Sequence, residues 1–275
     1  YTEAAFPRDW GRTQNNLGSA YQQLPTGDRR ENLQRAIECY QAALRVYTEA
    51  AFPADWAATQ NSLGTAYSDL PTGDRGENLQ RAIGCYQAAL RVRTEAAFPR
   101  DWAATQHNLG VAYRNLPTGD RGENLARAIE CYQAALRVHT EAAFPEAWAA
   151  TQNNLGGAYW SLPTGDRGDN LQRAIECYQA ALRVRTEAAF PADWAATQHN
   201  LGVAYSDLPT GDRSENLQRA IECYLAALRV YTEEAFPQAW AATQHALGIA
   251  YSDLPTGDRG ENLQRAIECY RAALR

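Results

Sequence analysis

The sequence predicts an all-α fold, a solenoid of six repeated helix hairpins, and three observations carry that prediction. Residues 53–67, PADWAATQNSLGTAY, return with few changes every 46 residues along a chain of 275, and a strict period of that length marks a repeat array. Within this stretch Trp56, Leu63 and Tyr67 fall at i, i+7 and i+11, with Leu70 one turn on. One side of a helix is therefore apolar and the other small or polar. A second stripe, Leu33, Ala36, Ile37, Tyr40 and Leu44, has the spacing i, i+3, i+4, i+7 and i+11 and marks the partner helix. The length equals six units of 46 less one, at 1–46, 47–92, 93–138, 139–184, 185–230 and 231–275. Length alone would suggest one or two globular domains; the period replaces them with one elongated array. With no Met anywhere and Tyr1 in first place, the array reads as a segment of a longer protein.

Residues 1–6 match the tail seen again at 93–98, so the chain is expected to open inside a second helix whose body is missing. Helix A of the first repeat follows over about 7–24. In the second repeat Pro53 suits a first helical position, where a missing N–H costs nothing, and Gly64 beside Ala66 leaves room for a close helix. At 24–28 the sequence LPTGD breaks the helix with Pro25 and turns with Gly27. Asp28 can cap the next helix, and Glu31 completes a capping-box pattern. Five units keep Glu there and the fourth has Asp169, so these acids are read as helix initiators and not as metal ligands.

Helix B is expected over about 29–50, its apolar stripe packed on helix A. Glu31 and Arg35, then Arg45 and Glu49, stand four apart; on one helix each such pair contributes about 0.2 to 0.5 kcal/mol on a solvated face. Phe52 precedes Pro53, and a residue before proline avoids the helical region, so helix B ends there.

Composition narrows the function. The net charge is −6 and the chain has no Lys, which argues against nucleic-acid and anionic-membrane binding, since both need a cationic surface. No apolar run approaches the length of a membrane span and no signal peptide is present, so a cytoplasmic location is expected. Six cysteines, Cys39, Cys85, Cys131, Cys177, Cys223 and Cys269, recur once per unit. Equivalent positions on stacked helices lie roughly 8 to 10 Å apart, too far for disulfides. No CxxC spacing occurs, and small buried thiols are expected.

Leu63-Gly64-x-x-Tyr67, followed by Ala82-x-x-x-Tyr86-x-x-Ala89, resembles the signature of the tetratricopeptide repeat (TPR) in every unit. Gln60 stands where that family usually has Trp, Tyr86 replaces Phe and Thr94 replaces the closing Pro; both helices are longer than in the common repeat. The phrase TQNNLG, at 13–18 and 151–156, resembles the longer repeats of kinesin light chain, nephrocystin and similar bacterial arrays. That resemblance implies a right-handed superhelix with helix A lining the concave side, and paired asparagines that contact a bound peptide. It also implies a bacterial setting beside a CHAT protease or a STAND-type nucleotide switch, in which the array is a sensor arm or scaffold.

Comparing the six near-identical units shows where difference is tolerated. Places equivalent to Arg8, Arg12, Asn15, Ser19 and Gln22 carry much of the change, at offsets 0, 4, 7, 11 and 14, one helical stripe opposite Trp10, Leu17 and Tyr21. The exposed face of helix B, with Arg35, Gln41 and Arg45, is also wet yet varies less, so exposure alone does not explain the pattern. The candidate groove residues are Arg8, Arg12, Asn15, Asn61, Arg100, His107 and Arg114 in the first three units. Asn153, Gly157, Trp160, His199, Val203, His245 and Ile249 follow in the last three. One end is cationic and the other apolar. The expected ligand is an extended peptide or partner-protein segment, acidic at one end and aromatic or aliphatic at the other.

His107, His199 and His245 share one column, but neighbours about 10 Å apart converge poorly on one ion, and no metal or other cofactor is expected. There is no Ser/His/Asp set, Gly-rich phosphate loop with Lys or HExxH, so a catalyst is not expected. RNA reading by one repeat per base would suit the Asn/His column but lacks a basic track. Apolar faces at the two ends of the array are expected to associate end to end.

Overall fold

The computed structural model describes residues 2–275, and all regular structure among them is α-helical: twelve helices and no strand. They form two compact units that part between Val138 and His139, a repeat boundary. The first unit holds α1 (Pro7–Gln23), α2 (Arg29–Val46), α3 (Pro53–Asp69), α4 (Arg75–Val92), α5 (Pro99–Asn115) and α6 (Arg121–Leu136). The second holds α7 (Pro145–Ser161), α8 (Arg167–Leu182), α9 (Pro191–Asp207), α10 (Arg213–Ala227), α11 (Pro237–Asp253) and α12 (Arg259–Ala273). Odd-numbered helices are helix A of each repeat and even-numbered ones helix B. In each unit a hairpin pairs A with B, and each B packs on the next A. Within each unit successive odd helices also touch, whereas successive even helices do not. The odd-helix side of each unit is therefore the tighter one, as an α-solenoid of hairpins requires.

Local chemistry fixes each boundary. Asp28 accepts from the Arg30 and Glu31 amides at 2.7 and 3.3 Å, and Asp74, Asp120, Asp166, Asp212 and Asp258 cap their helices the same way. Gly27 turns with φ +82°, a left-handed conformation that Gly adopts without steric cost. Asn32, buried, donates its amide to the Thr26 carbonyl at 2.8 Å and ties this turn down. The arrangement recurs in all six repeats. Arg29 and its five equivalents donate to a carbonyl in the last turn of the preceding helix A, Gln22 O in the first repeat, satisfying a terminal acceptor.

The Leu-Gly pair of helix A explains the hairpin's closeness. A Cβ on Gly64 would meet Tyr86 Cε1 at 2.8 Å, and Tyr86 is almost wholly buried in the core with Leu79 and Ala82. Glycine is the residue that lets the tyrosine lie flat on helix A.

Two expectations for helix B are corrected. It stops at Val46 and not near residue 50: residues 47–52 leave the helix and make a separate turn, with Phe52 N bonded to Thr48 O at 3.0 Å. For the same reason residues 3–5 are a turn and not the end of a helix; Tyr1, the first residue of that tail, lies outside the described residues. Glu49 therefore cannot serve Arg45 as an i+4 partner. Arg45 pairs with Glu3, and Glu49 with Arg91 at 2.7 Å, 42 residues on. Arg137 with Glu95 and Arg183 with Glu141 repeat this, both at 2.7 Å. Each arginine also covers the helix A tryptophan of its own repeat, Arg91 over Trp56 at 5.1 Å and Arg137 over Trp102 at 4.9 Å. The other expected pair, Glu31 with Arg35, is seen at its equivalents, Arg81 with Glu77 at 3.6 Å and Arg127 with Glu123 at 3.9 Å, while Arg35 itself lies over the Tyr21 ring at 5.6 Å.

The cysteines are free thiols on the even helices, buried or half-buried. Burial pushes Cys131, Cys177 and Cys223 up to about 12 and Cys85 up to about 11. Among the described residues no helix is long and apolar enough to cross a membrane.

Candidate functional site

All the candidate residues stand on the odd helices, where neighbouring repeats touch. In the first unit the side-chain amide of Asn15 lies 3.1 Å from the Thr59 hydroxyl, and that of Asn61 lies as close to Thr105. In the second unit Asn153 faces Thr197 at 3.2 Å and His199 Nδ1 faces Thr243 Oγ1 at 2.9 Å. These threonines are buried. The Asn/His column is thus a clamp between successive A helices, and one end of each amide is already engaged. What remains open to a ligand is the other end.

The arginines divide similarly. Arg12 is drawn to Asp9 at 2.7 Å, and Arg8 lies over the Phe52 ring at 5.8 Å while its carbonyl accepts from the Tyr47 hydroxyl at 3.2 Å. Arg8 and Arg100 are exposed, and Arg114 and His107 half-buried. In the second unit Trp160 is half-buried and pinned: its indole N–H donates to Asp207 at 2.9 Å, and Arg167 lies over the ring at 5.8 Å, 3.4 Å from the same carboxylate. Gly157 and Val203 are half-buried; His245 and Ile249 are exposed.

Two cavities open along these seams. One, about 390 Å³, is hydroxyl-rich and lies between α1 and α3, lined by Ser19, Gln22, Tyr40, Ser62, Thr65 and Asp69. Tyr40 donates to Gln22 at 2.9 Å across it. Burial pushes the Asp69 carboxyl above the usual carboxylate range, although Arg29 stands 3.8 Å away. The other cavity, about 210 Å³, lies between α7 and α9 and is lined by Glu146, Ala150, Val184, Arg185, Phe190 and Asp193.

Arg185 belongs to a column that the stripe comparison missed, in the segment that follows helix B: Tyr47, Arg93, His139, Arg185 and Tyr231. Arg93 and Arg185 turn into their seams and donate to the buried Thr105 and Thr197 hydroxyls, each at 3.1 Å. Arg185 also stands 3.6 Å from Asp193. Burial holds both guanidiniums below their ordinary value. The signal is present in the sequence, since this place changes between copies as freely as the helix A stripe. It is masked by the expectation that helix B runs on past it.

Hairpins of this geometry, stacked through A-to-A clamps, can be placed among known proteins. A family model of the Sel1 repeat matches residues 12–45, 103–137, 149–183, 195–229 and 241–275. The chain belongs to the Sel1-repeat family. Sel1 repeats are TPR-like, which accounts for the Leu-Gly-x-x-Tyr signature. Among solved structures this Sel1-repeat chain is similar to one in the APC/C hetero-tetramer Cut9-Hcn1, at TM-score 0.58 and 18% identity, over 99% of this chain and 44% of that one. The Sel1-repeat chain thus spans under half the length of that relative. It is also similar to the C-terminal part of a TPR repeat-containing protein from Cytophaga hutchinsonii, at 0.60 and 13%, over 98% and 86%. The apo form of RapI gives 0.55 and 12%, over 98% and 72%. At these identities the likeness is one of fold. No curated protein matches the sequence. Taken together these place the Sel1-repeat chain among the TPR-like scaffolds typical of protein–protein interaction; the narrower kinesin light chain likeness stays an expectation.

Proposed function

We propose that this chain is a non-catalytic scaffold that holds an extended segment of a partner protein along the odd-helix face. The observation that carries this reading is the contrast between fixed and variable positions. The residues that build each seam, from the Asp caps to the Leu-Gly-x-x-Tyr core, barely change between repeats, whereas the places that line the seam openings do. The openings also change in character. The 390 Å³ cavity of the first unit is lined by hydroxyls and amides, while the corresponding places of the last repeats carry Val203, Ala246 and Ile249. The first unit then suits a polar segment where α1 and α3 meet, and the second an apolar one where α9 and α11 meet. Arg12 is tied to Asp9, and the segment's acidic residues are met by the other arginines of the stripe, Arg8, Arg100 and Arg114.

A display selection of extended peptides against the chain tests this. Ligands should be lost with Val203→Glu combined with Ile249→Glu and be indifferent to Arg91→Ala on the far face. Ligands that respond to Arg91→Ala and ignore the groove pair would move the binding surface to the even helices. A cytoplasmic setting and attachment to a switch or protease domain, as a sensor arm, belong to the same reading.

A further inference from the structure

We propose that the cavity of about 210 Å³ between α7 and α9 is a socket for an arginine side chain of the partner segment, the guanidinium lying over the Phe190 ring and pairing with Glu146. This rests on the scaffold reading above and names one side chain of the partner. The first unit supplies the template, because it fills the same place with arginines of its own. Between α1 and α3 the corresponding residues are Arg8, Arg12, Phe52 and Asp55, and Arg8 lies over the Phe52 ring with its guanidinium carbon 5.8 Å from the centroid. Between α7 and α9 those two arginines become Glu146 and Ala150, while Phe190 and Asp193 are retained. The cavity is the room that the arginines vacate, with the ring left at its wall and a carboxylate added beside it.

Charge decides which side chain fits. Two carboxylates line the cavity against one guanidinium, and that guanidinium is occupied: Arg185 donates to Thr197 at 3.1 Å and stands 3.6 Å from Asp193. Glu146, exposed, makes no ion pair among the described residues. Both carboxylates sit in the first turns of α7 and α9, so the positive helix N-termini already face negative charge and a further anion would be repelled. A cation meets one unpaired carboxylate and the face of an aromatic ring, the two features that hold a guanidinium. Neighbouring seams lack this combination. Between α3 and α5 the places of Glu146 and Ala150 carry Ala54 and Ala58, and between α9 and α11 they carry Ala192 and Ala196. An arginine is preferred to a lysine because its planar fork can stack on Phe190 and reach Glu146 with two N–H groups.

Ligand-observed NMR titration with N-acetyl-arginine methylamide as the probe tests the socket on the chain as it stands. The wild type should bind the probe, and the citrulline analogue, close in shape but uncharged, should bind at least about fivefold more weakly. Glu146→Gln should weaken the arginine probe by about two- to fivefold, the worth of one exposed ion pair. Glu146→Arg, which restores the residue of the first repeat, should fill the cavity and abolish binding. Glu176→Arg on α8, an equal change of charge at an exposed place on an even helix, should leave binding unchanged. A wild type that binds no probe up to its solubility limit, or binding that survives Glu146→Arg, overturns the socket. Equal loss in both arginine variants overturns it as well, since the acidic surface as a whole would then attract the probe. So does tighter binding of N-acetyl-glutamate methylamide than of the arginine probe, which would make Arg185 an anion site. Val203 and Ile249 lie outside this cavity, so selected peptides that are lost with their substitution but ignore Glu146→Arg would overturn the socket and leave the scaffold reading standing.

Discussion

Asn15 sets its amide 3.1 Å from the hydroxyl of Thr59, and that hydroxyl has only one proton, which goes to the Asp55 carbonyl at 2.8 Å. Whatever faces Thr59 from Asn15 must therefore donate, so the amide belongs with its NH₂ toward Thr59 and its oxygen toward the seam opening. His199 fits the same rule. Thr243 gives its proton to Ala239 O at 2.7 Å, so His199 must carry a proton on Nδ1. Asn Nδ2 and His Nδ1 hang on the same carbon of their side chains, which is why the column alternates between these two residues and no others.

A donor requirement makes a sharp prediction. Asn15→His should keep stability within about 0.5 kcal/mol, whereas Asn15→Asp should cost about 1 to 3 kcal/mol at neutral pH, because a carboxylate can only accept and Thr59 is left facing it. Urea unfolding of the two variants measures this; an Asp variant as stable as the His one would put the amide oxygen back on Thr59.

Glycine has opposite meanings at two helical positions. A methyl on Gly64 would press Tyr86 Cε1 at 2.8 Å, whereas one on Gly84 would meet nothing within 4 Å. Gly64→Ala should destabilise by about 1 to 3 kcal/mol through overpacking. Gly84→Ala should stabilise by about 0.8 to 1 kcal/mol, the helix propensity difference. Thermal denaturation should move the two midpoints in opposite directions, and a shared direction would show that Tyr86 can yield.

The hairpins were legible because their signals are local: the Leu-Gly-x-x-Tyr face, the LPTGD break and the Asp cap each act within one helical turn of themselves. What could not be read from spacing was anything decided between repeats. Arg45 and Glu49 look like a helical pair, yet the chain leaves the helix at Tyr47, which turns with ψ 98° and carries Glu49 to Arg91 of the next repeat. Likewise Asn15, Asn61 and Asn153 have the exposure of groove residues, but a threonine 44 positions away claims half of each amide. Trp160 reads as an open aromatic platform until Asp207 and Arg167 are seen to hold it.

The thiols should be inert. With Cys131, Cys177 and Cys223 pushed up to about 12 by burial, the reactive thiolate is scarce at pH 8. A thiol reagent should label these three slowly in the native protein and label all six cysteines at once in denaturant. Rapid native labelling of any of the three would mean that its even-helix seam opens easily.

Acid should loosen the clamp at His199 in a defined window. Burial of its ring, which also packs on Tyr224 with centroids 5.7 Å apart, lowers its pKa from the ordinary 6.5. The unfolded chain therefore takes up this proton at a higher pH than the folded one. The folded state's advantage is fully present above about pH 6.5 and is lost as pH falls from there toward the lowered folded value. Protonation does not remove the Nδ1–H that Thr243 accepts, so the loss comes from charging a buried ring and not from a broken bond. His199→Asn keeps the donor and has nothing to titrate. The stability difference between wild type and this variant should be level from about pH 8 to 7 and then shift in favour of the variant between about pH 6.5 and 5, while carboxylates common to both cancel. A difference that stays level down to about pH 5 would mean that the imidazolium is as well solvated in the seam as in the unfolded chain.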